Sequence, residues 1–207
     1  MLCPDLIIRP PDPWKYRNVH LALRKIISGY TADFSPKSID EFVLNMQGYP
    51  AYRRGLFTVS REIKKRIKVE IGEWLTISVG IAPNRFLAKT AAGLHKPDGL
   101  DEINKDNFLE VYSRLALTDL CGIKLKNALR LNRTGIHSVR DLFEASYPHL
   151  RAAFSSILGY YWYLRLRGWE IDDVGFTRRS YGNSFALPKP ASSLEELSPI
   201  LAKLVNK

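Results

Sequence analysis

The pattern of apolar residues changes near residue 105, and this change limits the folds open to the chain. Before it, short β-branched segments over 39–46 and 74–81 alternate with segments of helical spacing over 13–28, 52–72 and 83–93. After it, strand patterns stop and only helical spacing continues. The leucines that carry this later spacing are Leu109, Leu115, Leu125, Leu129 and Leu142. The sequence therefore predicts an α/β (α+β) domain followed by an all-helical domain.

A second change of pattern occurs near the carboxyl end. Residues 180–185 have the character of an extended segment, and Ser193 precedes a last stretch of helical spacing. We therefore divide the chain into domains at 1–105, 106–177 and 178–207, and we expect the last to be the start of a further domain.

Composition and charge indicate a globular chain with an anionic partner. The 207 residues are 45% hydrophobic and 25% charged, which excludes intrinsic disorder, collagen-like repeats and coiled coils. The formal net charge is +10, and residues 51–100 carry ten basic against four acidic side chains. This balance favours nucleic acid as the partner, with an acidic membrane surface as the alternative.

The sequence gives no sign of a membrane segment or of an oxidised scaffold. No apolar run reaches the roughly 18 to 20 residues that span a bilayer, and the first residues lack the regions of a signal peptide. Cys3 and Cys121 have no metal-ligand spacing, so we expect reduced thiols. We expect a cytoplasmic protein.

Two adjacent acids, Asp40 and Glu41, interrupt the apolar segment 39–46. Buried carboxylates are costly unless a cation or a donor meets them, and Mg²⁺ prefers such oxygen ligands. Neighbouring strand residues point to opposite faces, so both acids reach one metal only near a strand end or a bend, with which Pro36 is compatible. The alternative is a solvated strand end or a helix-capping pair.

Three blocks of sequence follow one another: SIDE at 38–41, ISVGIAPNRFLAK at 77–89 and KPDGL at 96–100. In order and approximate spacing they resemble the palm motifs of the Y-family translesion DNA polymerases. The resemblance extends over nearly the whole chain. Its further blocks are 3–6, 10–12, 135–142 and 179–182.

The resemblance implies a palm with ferredoxin-like strands and helices, a helical thumb and the start of a little finger. Asp40 and Glu41 match the two strand-borne carboxylates that hold catalytic metals, with two Mg²⁺ ions expected in the complete enzyme. Lys96 matches the lysine that meets the triphosphate of the incoming nucleotide, and a solvated loop lysine is its alternative. Arg85 and Lys89 share one helical face, and the resemblance implies an electrostatic role toward the substrate or the backbone, with no partner fixed.

The helical domain contains a segment, 120–136, that resembles the helix-hairpin-helix of the family's thumb. Its hairpin amides and the following helix start would bind a DNA phosphate, which makes Gly122, Lys124 and Lys126 candidate DNA-binding residues. Lys124 stands where a second hairpin glycine is common, and an ordinary helix-turn-helix is the alternative. Three further candidates, Arg179, Ser180 and Gly182, match the opening strand of the little finger.

The chain starts beyond the first strand and the fingers of that family, so one metal-binding aspartate of the family has no counterpart. We expect part of a translesion DNA polymerase. The resemblance implies that the whole enzyme acts on primer-template DNA and deoxynucleoside triphosphates and takes part in the SOS response. The resemblance also suggests a sliding clamp as a partner of the whole protein, and the isolated chain is not expected to extend a primer. The alternatives are a noncatalytic DNA-binding helix-hairpin-helix module and another palm-type nucleotidyl-transfer enzyme such as a cyclase.

Overall fold

The computed structural model describes residues 6, 7, 9–173 and 182–206. The chain forms two compact units, 1–172 and 173–207. In the second unit, helix α10 (Leu194–Val205) follows Ser193, whose hydroxyl accepts a hydrogen bond from the backbone N–H of Glu196 at 3.3 Å. The predicted last helix is therefore confirmed. All other elements belong to the first unit.

Helices lie before and after the first pair of strands in the first unit. Helix α1 (Pro13–Ser28) starts at Asp12, whose carboxylate accepts from the N–H of Lys15 at 3.1 Å, and it ends at Gly29 as the sequence predicts. The predicted helix over 52–72 is wrong at its start. The chain instead forms a short helix α2 (Pro50–Arg53) and a separate helix α3 (Leu56–Glu70), because Gly55 between them takes a φ of +87° that breaks the helical path.

The strands are shorter than the sequence predicts. Strands β1 (Phe34–Pro36) and β2 (Phe42–Leu44) pair antiparallel, and β3 (Val79–Ile81) and β4 (Leu100–Glu102) pair in parallel. The predicted strands over 39–46 and 74–81 are thus wrong in extent. Backbone pairing limits them: residues 38–40 form a bend, and β4 offers β3 only three partners.

Helix α4 (Arg85–Leu94) connects β3 to β4 and lies directly on the strand pair. Gly80 makes this approach possible, since a Cβ at this position would stand 1.9 Å from the carbonyl oxygen of Ala88 and 2.3 Å from the nitrogen of Ala92. Gly80, the glycine of the ISVGI block, is therefore needed for the close packing of α4 on β3.

Beyond β4 the described residues of the first unit contain only helices, as predicted. They are α5 (Phe108–Arg114), a 3-10 turn (Leu117–Asp119), α6 (Leu125–Asn132), α7 (Val139–Glu144), α8 (Tyr147–Phe154) and α9 (Leu158–Arg165). The larger hydrophobic core contains buried side chains on both sides of residue 105, among them Leu87, Ile103 and Leu131. A smaller core joins α1 to α3 through residues such as Ile26 and Ile67. Within the described ranges, no helix is long and apolar enough to cross a membrane.

Candidate functional site

Asp40 and Glu41 lie in the turn that enters β2, and not inside a strand as the sequence predicts. The backbone N–H groups of Lys37 and Ser38 donate to the carbonyl oxygen of Glu41 at 2.8 and 3.3 Å, which closes the turn. The carboxylate of Asp40 is exposed and accepts from the hydroxyl of Ser38 at 2.5 Å. The two acids therefore sit at a bend, where neighbouring side chains are not forced to opposite faces.

Glu41 is tied to helix α4 by an ion pair. The ammonium of Lys89 donates to Glu41 Oε2 at 2.5 Å, and this hydrogen bond is the main cause that raises the pKa of Lys89. Both side chains are more than a third exposed, so solvent screens the pair. One turn earlier on the same helix, Arg85 donates from Nε to Glu170 at 3.1 Å. The two basic residues of the NRFLAK block thus have different acidic partners.

A cleft with a volume of about 470 Å³ opens beside this ion pair, within the first unit. Its lining includes Glu41 and Lys89 from one side and Cys121, Trp162 and Arg165 from the helical part. Arg165 is held there by Asp172, to which its Nε donates at 2.8 Å. The cleft therefore brings carboxylates and cations close to an apolar wall that includes Trp162. This combination is suited to a phosphorylated ligand and its counterion.

Lys96 is exposed on the loop between α4 and β4. In the part of the chain that the structure describes, it does not line the cleft beside Glu41. Asp40 and Glu41 therefore share the turn before β2, whereas Lys96 has a separate exposed position.

The hairpin before α6 carries the other candidates. Gly122 has a φ of +96° and is exposed, and its carbonyl oxygen accepts from the side-chain amide of Asn127 at 3.2 Å. Lys124, at the start of α6, and Lys126 both point to solvent. The element before this hairpin is the three-residue 3-10 turn Leu117–Asp119.

The last three candidates lie near the boundary of the described residues. Arg179 and Ser180 are outside the residues that the structure describes, as is Cys3. Gly182 is exposed in the second unit.

The two acids supply a limited ligand set for a metal. Among the described residues, no group of three or more His, Cys, Asp or Glu side chains is arranged to hold an ion. Asp40 and Glu41 still offer adjacent carboxylate oxygens, and Mg²⁺ commonly takes only one or two protein carboxylates, with water and phosphate oxygens completing its shell. The residues present therefore fit such an ion as part of its ligands.

Sequence reasoning missed two residues that support this region. Asn84 caps α4, since its Oδ1 accepts from the N–H of Leu87 at 2.7 Å, and its amide donates to the carbonyl oxygens of Arg165 and Trp169 at 2.8 and 2.9 Å. His20 on α1 lies 2.9 Å through Nδ1 from the carbonyl oxygen of Ile39. A capping signal could identify Asn84 as a helix start, but no local signal gives partners 81 and 85 residues away.

The chain is similar in sequence to a polymerase family and its members. Residues 1–93 match the model of the impB/mucB/samB family. A protein from Shewanella baltica (strain OS185) described as DNA polymerase IV is 33% identical over 210 residues, covering 100% of this chain and 57% of the relative. DNA polymerase IV 1 of Bacillus subtilis (strain 168) is 34% identical over 206 residues, covering 98% of this chain and 49% of the relative.

Solved structures agree with this similarity. A Y-family DNA polymerase chimera superposes with a TM-score of 0.80 at 27% identity, over 98% of this chain and 59% of the other. An insertion ternary complex of Dbh DNA polymerase gives 0.70 at 26% identity, over 98% and 59%. The chain therefore spans between 49% and 59% of the length of these four proteins.

Proposed function

Because this chain belongs to the Y family of translesion DNA polymerases, we propose that it forms part of an enzyme that extends a primer along a DNA template, including past damaged bases. The observation that carries the proposal is the adjacent pair Asp40 and Glu41 at a bend beside a charged cleft, in a chain that matches polymerases along its length. The ranges 1–105, 106–177 and 178–207 are proposed as parts of the palm, thumb and little finger.

Asp40 and Glu41 are proposed to hold Mg²⁺, with two ions expected in the whole enzyme. When bound, the metal would polarise the phosphoryl centre and offset the charge of the leaving pyrophosphate. Asp40 is able to contribute because its carboxylate is exposed, and among the described residues it accepts from the hydroxyl of Ser38 within the same turn. Glu41 must exchange its contact with Lys89 for the metal, and the exposure of that pair makes the exchange inexpensive.

The chain's own cations are proposed to receive the phosphates. Lys96 offers an exposed ammonium for the triphosphate of a deoxynucleotide, a point charge that needs no fixed donor geometry. Lys89, released from Glu41, remains beside the reacting phosphates and offsets negative charge there. These residues orient the nucleotide so that its α-phosphate faces the primer end.

The helical part is proposed to contact DNA through the helix-hairpin-helix predicted at 120–136. Gly122 is exposed and its φ of +96° shapes the hairpin turn, and Lys124 and Lys126 add exposed positive charge at the start of α6. Arg179, Ser180 and Gly182 are proposed to contact the DNA backbone from the second unit. A sliding clamp remains a proposed partner of the whole protein.

The test measures primer extension with Mg²⁺ by the chain itself and by the chain joined to the preceding segment of the Shewanella baltica relative. We expect the joined protein to extend the primer and the isolated chain not to do so. Nucleotide cyclisation is assayed in parallel. Tight DNA binding by the joined protein without extension would favour the noncatalytic DNA-binding alternative, and a cyclic nucleotide product would favour the cyclase.

A further inference from the structure

Lys64 on helix α3 has a largely buried side chain that contacts the loop carrying Lys96. The side chain of Lys64 is only 14% exposed, and its ammonium donates to the backbone carbonyl oxygens of Ile77, Asp98 and Gly99 at 3.0, 2.6 and 3.1 Å. An ammonium has three N–H donors, so these three carbonyls use all of them. Lys64 therefore joins the segment that precedes β3 to the loop that precedes β4.

The charge of Lys64 is compensated inside the same loop. Asp98 Oδ1 lies 2.8 Å from the ammonium of Lys64, and Asp98 Oδ2 accepts from Lys68 at 2.8 Å. Lys64 first and Lys68 second hold the pKa of Asp98 below its usual value. The carboxylate thus stays ionised and remains bound by two successive turns of α3.

The loop is fixed at further points on either side of Asp98. The backbone N–H of Gly99 donates to the hydroxyl of Ser78 at 3.2 Å, and His95 Nδ1 lies 2.7 Å from Asp101 Oδ1. The first contact holds the main chain three residues after Lys96, and the second links the side chain of the residue before Lys96 to β4, while the Lys96 side chain itself stays exposed. A loop held this firmly around an exposed lysine restricts where the ammonium of that lysine can go.

We propose that Lys64 is a positioning residue, which fixes the loop 95–101 so that Lys96 meets the triphosphate of a nucleotide. The proposal rests on the function proposed above, because it assigns Lys96 to a triphosphate. Lys64 acts through the backbone and through Asp98, and it is not itself proposed to touch the nucleotide. Lys65, its exposed neighbour on the outer face of α3, has no part in the loop.

The experiment measures two quantities on the full chain: hydrogen exchange of residues 95–101, and equilibrium binding of dATP with Mg²⁺. We expect Lys64→Met to speed hydrogen exchange in this loop and to weaken dATP binding about five-fold. Affinity falls by this factor when the loop adopts the binding geometry only about one-fifth of the time. Lys65→Met removes the same charge from the same helix and should change neither quantity. Lys64→Arg, which keeps the charge and the donors, should restore most of the affinity.

A second variant tests the same proposal in case Lys64→Met does not fold. Asp98 has a φ of +60°, a conformation that asparagine also tolerates well, so Asp98→Asn should keep the loop shape while it removes the charge that binds both lysines. We expect it to melt near the wild-type temperature, with faster loop exchange and weaker dATP binding.

The outcomes separate this proposal from the function on which it rests. Wild-type protein that does not bind dATP, or Lys96→Met that binds it normally, overturns the nucleotide role of Lys96 and the positioning role with it. If Lys96→Met weakens binding while Lys64→Met and Asp98→Asn bind dATP as the wild type does, only the positioning role is overturned. Unchanged loop exchange in both variants overturns it as well.

Discussion

Asp40 and Glu41 are neighbours in sequence, but their surroundings differ in a way that bears on the proposed metal site. Among the described residues, Asp40 accepts from the hydroxyl of Ser38 within its own turn, whereas Glu41 is held by Lys89 on α4. To bind a metal, Asp40 would exchange a hydrogen bond within its turn, whereas Glu41 would exchange an ion pair with another element.

At the residue scale we first predict the effect of Asp40→Asn in the joined protein. The substitution should reduce primer extension at least about 100-fold, because charge that develops on the transferred phosphate loses part of its stabilisation. Folding and DNA binding should stay nearly unchanged. The measurements are single-turnover extension and DNA titration, with Asp106→Asn, an exposed carboxylate elsewhere in the chain, as the control. Normal extension by Asp40→Asn would remove this residue from the metal site.

Lys89→Met gives a second prediction at this scale, because Lys89 competes with a metal for Glu41. An exposed ion pair contributes up to about 1 kcal/mol, so its removal should tighten Mn²⁺ binding up to about five-fold. Titration of Mn²⁺ followed by electron paramagnetic resonance measures the affinity. Lys65→Met serves as the charge-matched control, and weaker Mn²⁺ binding by Lys89→Met than by that control would contradict the competition.

At the scale of elements, the sequence indicates helices better than strands. Helix starts such as Asp12 and Ser193 are local signals, since each side chain caps the backbone three residues later. Strand ends depend on a partner strand, which the local sequence does not reveal. The sequence does not predict β4, because two of its three residues, Asp101 and Glu102, are of types depleted in strands. The acid pair could be found from sequence, and Pro36 is compatible with a bend beside it. The sequence still predicts the acids inside a strand, because the backbone contact between Lys37 and Glu41 that places them in a turn leaves no local signal.

The contact of α4 with β3 gives a prediction about stability. Gly80→Ala should destabilise the protein by about 2 kcal/mol or more, because the added methyl meets backbone atoms that cannot rotate away. Gly93→Ala is the matched control in α4: its Cβ would meet nothing within 4 Å, so helix propensity should stabilise the protein by about 0.5 to 1 kcal/mol. Urea unfolding measures both. Similar stability of the two variants would mean that α4 does not lie directly on β3.

Helix α7 gives a prediction about pH. Asp141 accepts from the backbone N–H groups of His137 and Ser138 at 3.0 and 2.9 Å, and these bonds, that from His137 foremost, lower its pKa from the usual 3.8. Since the folded-state pKa is the lower one, this stabilisation is present above about pH 4 and is lost as pH falls through the folded-state pKa. Thermal unfolding between pH 7 and pH 3 should therefore change less in Asp141→Asn than in the wild type. Equal pH dependence of the two proteins would contradict this role.

At the scale of the whole molecule, one core joins parts that the sequence pattern separates at residue 105. Leu87 from α4 and Ile103 after β4 are buried together with Leu131 of the helical part, and Asn84 links the start of α4 to Arg165 and Trp169. Periodicity along the chain reports which face of an element is buried, but it does not report which distant element covers that face. This is why the sequence predicted the elements of each part and missed the contacts between them.

The distribution of charge over the whole molecule leads to the last prediction, which concerns DNA binding. A net charge of +10 with exposed lysines at the hairpin should give weak binding without sequence preference, and log affinity should fall with log salt by about 0.9 for each phosphate neutralised. Lys124→Ala and Lys126→Ala should each lower that slope by up to about 1, while Lys105→Ala, an exposed lysine outside the hairpin, should lower it less. Fluorescence anisotropy with duplexes of two unrelated sequences, measured across salt concentrations, gives the slope. Equal slopes for all three variants would exclude the hairpin as the phosphate contact, and affinity that depends on one sequence would contradict binding through the backbone alone.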